Sequence, residues 1–257
     1  MDLATIIGGV AALLLLAIAI VLAGGNLLGF VDSAALLIIG GGIFCGVLVA
    51  FPLNEFYRLY AVVKIVFAPP KFDLLEIINE IILLAETARR EGILTLDQKI
   101  AEIKDTFLAN GLRMVVDGAK PEMIEMIMES DMDALSARHS VGTNMVSQLG
   151  KAAPVFGLVA TLIGLILMLS HLEPESIGHH MAVALTGTLY GLVSANVFFL
   201  PWASKLKYYD KLEHTRRELI LTGLLEIQKG ETPRMIKMLL LTYLPENLRQ
   251  SDSDDTT

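Results

Sequence analysis

Four long apolar stretches dominate the hydrophobic pattern of the chain. They cover residues 3–23, 33–53, 152–172 and 180–203, and none has a Lys or Arg in its interior. A helix needs roughly 20 mostly apolar residues to cross the hydrocarbon core of a bilayer. The pattern therefore predicts four transmembrane helices, with polar segments between the second and third and after the fourth.

The polar segments have the apolar period of helices and no strand alternation. Asp73 with Glu76 three residues later predicts a helix start, and Gly92 predicts its end. We expect further helices at 96–108 and 122–135, and a basic continuation of the fourth span. The predicted fold is an all-α integral membrane protein with four transmembrane helices and a helical cytoplasmic domain. Its predicted parts are a membrane hairpin at 1–53, the cytoplasmic domain at 54–150, a second hairpin at 151–203, and C-terminal helices with an acidic tail at 204–257.

The basic residues predict the orientation. All 20 lie within 54–151 or after 203, and the two short connections, 24–32 and 173–179, contain none. An even number of spans places both basic stretches and the N-terminus on one side, which the positive-inside rule makes cytoplasmic. We expect a multi-pass membrane protein with both termini in the cytoplasm.

Composition and motifs argue against an enzyme. The chain is 54% hydrophobic and 19% charged, and we find no Gly-rich phosphate loop, Ser/His/acid arrangement or Cys/His metal spacing. We expect no catalytic residue, cofactor or metal site, and the net charge of −8 gives no reason to expect nucleic-acid binding. A divalent-metal site is conceivable on the outer loop, but solvated loop residues are the better interpretation of its cluster, which is His171, Glu173, Glu175, His179 and His180.

The membrane spans lack a carboxylate at mid-depth. Asp32, at the outer entrance of the second span, is the acidic residue nearest to a span interior. Charged groups within a membrane are costly and usually functional, so an ion-conducting chain of this kind would need a partner to supply the carboxylate. Pro154 and Pro201 lie at similar depth on the inner side, where proline weakens a helix, and they form a candidate joint.

Two threonines are the candidate ion ligands within the spans. Thr161 lies ten residues beyond Lys151, about 15 Å along a helix, and Thr188 lies seventeen residues from Lys205, about 25 Å. This arithmetic places the hydroxyls at two levels of one pathway rather than in one site. The alternative is that each hydroxyl bonds a carbonyl of its own helix.

Several separate motifs resemble the MotA/PomA family of flagellar stator subunits, nearest to its sodium-driven PomA-type branch. The matching segments cover nearly the whole chain and are 1–5 (MDLAT), 30–32 (FVD), 88–97 (ARREGILTLD), 151–165 (KAAPVFGLVATLIGL), 181–191 (MAVALTGTLYG) and 199–201 (FLP).

The resemblance implies a function in motility and chemotaxis and a location in the bacterial inner membrane. A-subunits of this family form a pentamer in the membrane lipid around a dimer of a single-span, peptidoglycan-binding B-type subunit, whose aspartate carries the ion. The resemblance assigns an ion pathway, with Na⁺ expected and H⁺ the alternative, to Thr161, Thr186, Thr188 and Asp32. It assigns coupling to Pro154 and Pro201, and contact with the switch protein of the rotor C-ring to Arg89, Arg90 and Asp97.

Two alternatives remain. The related ExbB/TolQ class energises cell-envelope processes through an ion gradient and usually has three spans rather than four. A membrane scaffold without conduction would leave the threonines and the paired prolines unexplained.

Overall fold

The computed structural model describes residues 2–70, 72–171 and 173–246, and gives only the backbone of 174 and 175. Leu172, the Glu175 side chain and the acidic tail 251–257 lie outside the described residues. The described part consists of helices joined by short turns and loops. Its α-helices are α1 Leu3–Leu22, α2 Ser33–Ala50, α3 Leu53–Phe67, α4 Leu74–Glu91, α5 Asp97–Ile100, α6 Thr106–Val116, α7 Pro121–Ser170, α8 Pro174–Val193, α9 Leu200–Lys229 and α10 Pro233–Leu241.

Four helical stretches are long and apolar enough to cross a membrane in the part of the chain that the structure describes, which confirms the predicted fold class. The first two spans are α1 and α2. The third is the C-terminal part of α7, a helix of 50 residues that also contains the predicted segment 122–135. The fourth runs from α8 through a π-helical segment, Ser194–Phe199, into α9.

The first compact unit, here the membrane unit, comprises Met1–Pro70 and Arg138–Tyr209. Its core contains one side of α2 (Ile39, Ile43 and Val47) packed with residues of α7. Gly42 of α2 lies so close to Phe156 of α7 that an added Cβ would stand 2.3 Å from its ring. None of the residues of α1 is buried, so this helix lies on the surface of the unit.

The second compact unit, here the extramembrane unit, comprises Lys71–Ala137 and Asp210–Thr257. Its apolar core brings together α4, α6, the N-terminal part of α7, α9 and α10. Ile78 and Leu112 are fully buried there, as is Leu224 of α9. Core residues of the unit therefore come from both polar stretches of the sequence.

The predicted cytoplasmic helices are partly confirmed. Asp73 caps α4 by accepting hydrogen bonds from the N–H groups of Leu75 and Glu76, and Gly92 ends the helix with φ of +94°. The predicted helix 96–108 is wrong, because Asp105 caps the backbone N–H groups of Phe107 and Leu108 and so begins a separate helix, α6. Helix α3 was not expected from the sequence, and α10 lies within the predicted C-terminal helices, although its bounds were not predicted.

Candidate functional site

The site begins at the contact between α7 and α8, where small residues bring the backbones together. A Cβ added to Gly164 would lie 2.7 Å from the carbonyl oxygen of His180, and one added to Gly191 would lie 2.5 Å from that of Ala153. At Gly187 it would lie 2.4 Å from Cβ of Ala160. The small residues of the third and fourth spans therefore face each other and fix the helix separation.

Two hydroxyls meet inside this contact. Thr161 Oγ1 and Thr188 Oγ1 are in hydrogen-bond contact. Thr161 Oγ1 also lies 3.1 Å from the carbonyl oxygen of Gly157 and 3.0 Å from that of Ala184. Thr188 Oγ1 lies 3.3 Å from each of the same two carbonyl oxygens. The result is a compact group of four oxygens, here the four-oxygen cluster, contributed equally by α7 and α8.

This geometry corrects the prediction that the two threonines occupy different levels. The helices run antiparallel, and each side chain is tilted toward the N-terminus of its own helix. The Thr161 and Thr188 side chains therefore approach each other from opposite directions. The two lysines from which depth was counted also lie at different levels. Ala153, two residues from Lys151, packs against Gly191, but Gly191 is fourteen residues from Lys205. The interpretation that each hydroxyl bonds its own helix holds only in part, because each also contacts the other helix.

Thr186 makes a different contact. It is buried, and its hydroxyl donates to the carbonyl oxygen of Ala182, one turn earlier in the same helix, at 2.8 Å. The structure therefore does not bring Thr186 into the four-oxygen cluster.

Asp32 is held at the start of α2. Its carboxylate accepts a hydrogen bond from the N–H of Ala35 at 2.8 Å, and its own N–H donates to the Tyr190 hydroxyl at 3.0 Å. That hydroxyl also donates to the carbonyl oxygen of Phe30. Tyr190 therefore fastens the turn between the first two spans to the fourth span, a role that the sequence analysis missed.

The position of Ala35 shows how deep Asp32 lies. Ala35 lies close to Gly187, because a Cβ added to Gly187 would stand 3.8 Å from the Cβ of Ala35. Gly187 also faces Ala160 of α7. Beyond Ala160, α7 continues to Ser170, about 15 Å further at the helical rise. The entrance of α2 thus lies well below the end of α7, near the level of the four-oxygen cluster.

The two prolines differ in their surroundings. Pro154 lies inside α7, which remains helical on both sides. Pro201 is the second residue of α9 and follows the π-helical segment. Polar side chains bond carbonyls near this segment, since Ser194 Oγ donates to Tyr190 O at 2.7 Å and Asn196 Nδ2 donates to Leu192 O at 2.9 Å. π-helical turns often occur at functional sites.

The three charges expected to meet another protein are all exposed in the extramembrane unit. Arg89 and Arg90 are in the last turn of α4, and Arg90 lies 3.5 Å from Glu86. Asp97 begins α5 immediately after Leu96, which is fully buried. The buried leucine anchors the turn that leads to Asp97, and all three charges face solvent.

An acidic groove of about 590 Å³ lies on the same unit, between α4 and the loop that precedes α6, with Arg216 of α9 in its lining. Burial, followed by repulsion from Glu76, raises the pKa of Glu80 in this groove. Arg216 of α9 forms an ion pair with Asp105. Burial lowers the pKa of the Arg216 guanidinium. Arg216 and Asp105 are mostly buried, so this pair is a structural tie of the unit.

The outer histidines approach one another. The ring centroid of His180 lies 5.8 Å from that of His171 and 5.7 Å from that of His179. Within residues 2–70, 72–171 and 173–246, no three His, Cys, Asp or Glu side chains are placed to hold a metal ion.

Comparison with known proteins identifies the family. The model of the MotA/TolQ/ExbB proton channel family matches residues 99–219. The chain is 36% identical to Motility protein A of Bacillus subtilis, over 95% of this chain and 92% of that protein. It is also 36% identical to Chemotaxis protein PomA of Vibrio alginolyticus, over 99% of this chain and 100% of that protein.

Solved structures agree with these relatives. The flagellar MotAB stator complex from Bacillus subtilis contains a chain with a TM-score of 0.89 and 35% identity, with 96% of this chain and 98% of that chain covered. The structure of C. jejuni MotAB gives a TM-score of 0.89 and 31% identity, and the match covers 96% of this chain and 97% of that chain. The agreement of sequence and structure over nearly the whole length shows that this chain belongs to the MotA/PomA family of flagellar stator A-subunits.

Proposed function

We propose that this stator A-subunit conducts Na⁺ past the four-oxygen cluster and converts the ion gradient into torque on the flagellar rotor. The observation that carries the proposal is the convergence of the Thr161 and Thr188 hydroxyls with the carbonyl oxygens of Gly157 and Ala184. Carbonyl oxygens can replace the hydration shell of an alkali cation, and hydroxyl oxygens can accept as well as donate. Thr186 and Asp32 would line the same pathway nearby.

A partner completes the pathway in this proposal. The four oxygens carry no formal charge, and the Asp32 carboxylate caps α2 by accepting a hydrogen bond from Ala35 N–H. The pathway therefore needs a further carboxylate to stabilise the ion within the membrane. A single-span, peptidoglycan-anchored B-type subunit would bring that carboxylate, and the similar solved structures are MotAB complexes. We propose a pentamer of this chain around a dimer of that subunit.

The orientation follows from the charges. Residues 1–53 and 151–203 would form two membrane hairpins, and 54–150 and 204–257, with both termini, would be cytoplasmic. Pro154 and Pro201 would serve as joints between the membrane and cytoplasmic parts. Arg89, Arg90 and Asp97 would then face the switch protein of the rotor C-ring.

The ion and its ligand can be tested together. Swimming speed measured against external sodium at fixed pH should rise and saturate, and Thr161→Ala should abolish the sodium-driven motion while assembly with the B-type subunit is retained. Ser170→Ala is a matched control, because that exposed hydroxyl bonds its own helix near the end of α7. A speed that is independent of sodium in the unmodified protein would mean proton use.

A second candidate is the ExbB/TolQ-like role in envelope energisation, since the matching family model includes those proteins. The two relatives from Bacillus subtilis and Vibrio alginolyticus match over 95% and 99% of the chain and carry motility and chemotaxis names, which favours the flagellar role. Deleting the gene should abolish swimming with flagella still present, whereas the alternative predicts normal swimming and an envelope defect.

A further inference from the structure

Helix α3 runs between the end of α2 and the start of α1, on the side of the membrane unit where the basic stretches of the sequence lie. It begins at Leu53, three residues after α2 ends at Ala50. At its other end, the carbonyl oxygen of Phe67 accepts a hydrogen bond from the N–H of Asp2, which caps α1. Both ends of α3 are therefore tied to points where membrane helices begin or end.

Independent markers place the Phe67 end at the level of lipid headgroups. The Phe67 ring lies 5.4 Å from that of Trp202, the single tryptophan of the chain. Asp2 forms an ion pair with Lys205, the first cation after the fourth span, and accepts a hydrogen bond from Tyr209 at 3.0 Å. Tryptophan and tyrosine concentrate at the interface between bilayer and water.

One side of α3 packs within the membrane unit. Leu59 and Val66 are buried, and Val62 meets Gly142 of α7, where an added Cβ would lie 2.7 Å from a Val62 methyl. The orientation of the helix about its axis is therefore fixed.

The opposite side presents a stripe of four residues with no covering from the membrane unit. Leu53, Tyr57, Tyr60 and Lys64 follow one another at spacings of four, three and four, which places them on one helix face. Leu53 is 61% exposed, Tyr57 is 77% exposed and Tyr60 is 81% exposed. Arg58, at the edge of the stripe, is also exposed, and its guanidinium pairs with Glu55 at 3.2 Å on the solvent-facing surface of the helix, where it stays accessible to a phosphate.

We propose that this exposed stripe of α3 binds the headgroups of anionic phospholipids in the leaflet on the basic side of the protein. Leucine and tyrosine would enter the boundary between headgroups and acyl chains, while Lys64 and Arg58 would extend to the phosphates. Water alone is a poor partner for such a face, because contact between water and the apolar surface of a leucine and two largely exposed tyrosine rings is unfavourable. Anionic lipid headgroups complement the stripe in polarity and charge, and Trp202 and Tyr209 place the Phe67 end of α3 at the level of such headgroups.

The position of the stripe can be measured by spin labelling. In a Cys45→Ala background, which removes the single cysteine, Tyr60→Cys would carry a nitroxide in bilayers containing phosphatidylglycerol. Leu37→Cys in α2 and Leu94→Cys in the extramembrane unit are matched controls, since both leucines are 77% exposed. We expect the ratio of oxygen to nickel-chelate collisions at position 60 to fall between those of the two controls.

Two results would overturn the proposal. A ratio at position 60 equal to that at position 94 would show a face surrounded by water. Collision rates with both reagents far below those of the two controls would show that a second copy of the chain or another protein covers the stripe.

Lipid preference gives a second measurement. The association of spin-labelled phosphatidylglycerol relative to phosphatidylcholine should fall roughly twofold in the Arg58→Gln/Lys64→Gln variant. Lys99→Gln, an exposed lysine of the extramembrane unit, should leave it unchanged. An unchanged preference in the double variant would contradict the charge contribution. Neither measurement depends on sodium use or torque, so their failure would leave the proposed motor function intact.

Discussion

Gly191→Ala tests the close contact on which the candidate ion site depends. The added methyl carbon would lie 2.5 Å from the carbonyl oxygen of Ala153, about 0.9 Å short of the 3.4 Å at which ordinary contact begins. The obstacle is backbone, so it cannot move aside by a change of rotamer. Helices α7 and α8 must separate locally or distort.

The expected cost follows from two opposing effects. Alanine favours a helix over glycine by up to about 1 kcal/mol, whereas overpacking of a tight contact costs roughly 1–3 kcal/mol. We therefore expect Gly191→Ala to destabilise the protein by up to about 2 kcal/mol, and to be less stable than a Gly→Ala change without crowding by the full overpacking cost of roughly 1–3 kcal/mol. A separation of about 0.9 Å would also lengthen the 3.0 Å contact between Thr161 Oγ1 and Ala184 O beyond hydrogen-bond distance.

The assay compares Gly191→Ala with Gly178→Ala on the same helix, where an added Cβ meets nothing within 4 Å. Thermal unfolding of the detergent-purified proteins measures stability, and swimming speed measures function. Gly178→Ala should be neutral or slightly stabilising, and Gly191→Ala should lower both the unfolding temperature and the speed. Equal unfolding temperatures for the two variants would refute the close approach of α7 and α8.

Three further changes probe other parts of the protein. Arg89→Glu should reduce swimming without reducing assembly, and charge reversal on the rotor should partly restore it; failure of every reversal would count against direct contact. Pro201→Ala restores the missing N–H after the π-helical segment and should reduce rotation per ion conducted, whereas normal swimming would assign the proline to packing. The pKa of Glu80 is raised in the folded state, so ionisation of this group destabilises the fold as pH rises through its folded pKa. Glu80→Gln should therefore raise the unfolding temperature at pH 7, and this advantage should disappear near pH 4; an equal gain at both values would exclude titration of Glu80 as its cause.

Local signals in the sequence predicted the spans and one helix of the extramembrane unit, α4, well. An uninterrupted apolar run can satisfy its backbone in lipid only as a helix or within a closed barrel, so α1 and α2 follow almost from composition. Asp73 and Gly92 act through their immediate neighbours, which makes the bounds of α4 readable without knowledge of the tertiary structure.

The joining of 122–135 and the third span into one helix was not predictable in the same way. Glycines near that junction appear to the eye as helix breakers, but the structure uses them for contact. Gly142 accommodates Val62, and an added Cβ at Gly150 would stand 2.6 Å from a Leu200 methyl. A glycine that ends a helix and one that admits a neighbouring side chain look the same until the neighbour is known. The π-helical segment and α3 were missed for the related reason that their stability depends on tertiary partners.

The threonine pair shows the same limit at the level of function. Depth measured along a single helix needs a common reference plane, and the sequence offers only the lysines nearest to each span. Lys151 lies two residues before Ala153, which packs against Gly191, whereas Lys205 lies fourteen residues beyond Gly191. A polar group in a span can be recognised from its residue type, but its partners are set by where two antiparallel helices touch. Small residues at 157, 164, 187 and 191 determine that contact, so the glycines decide which hydroxyls share a site, although they contribute no side-chain ligand themselves.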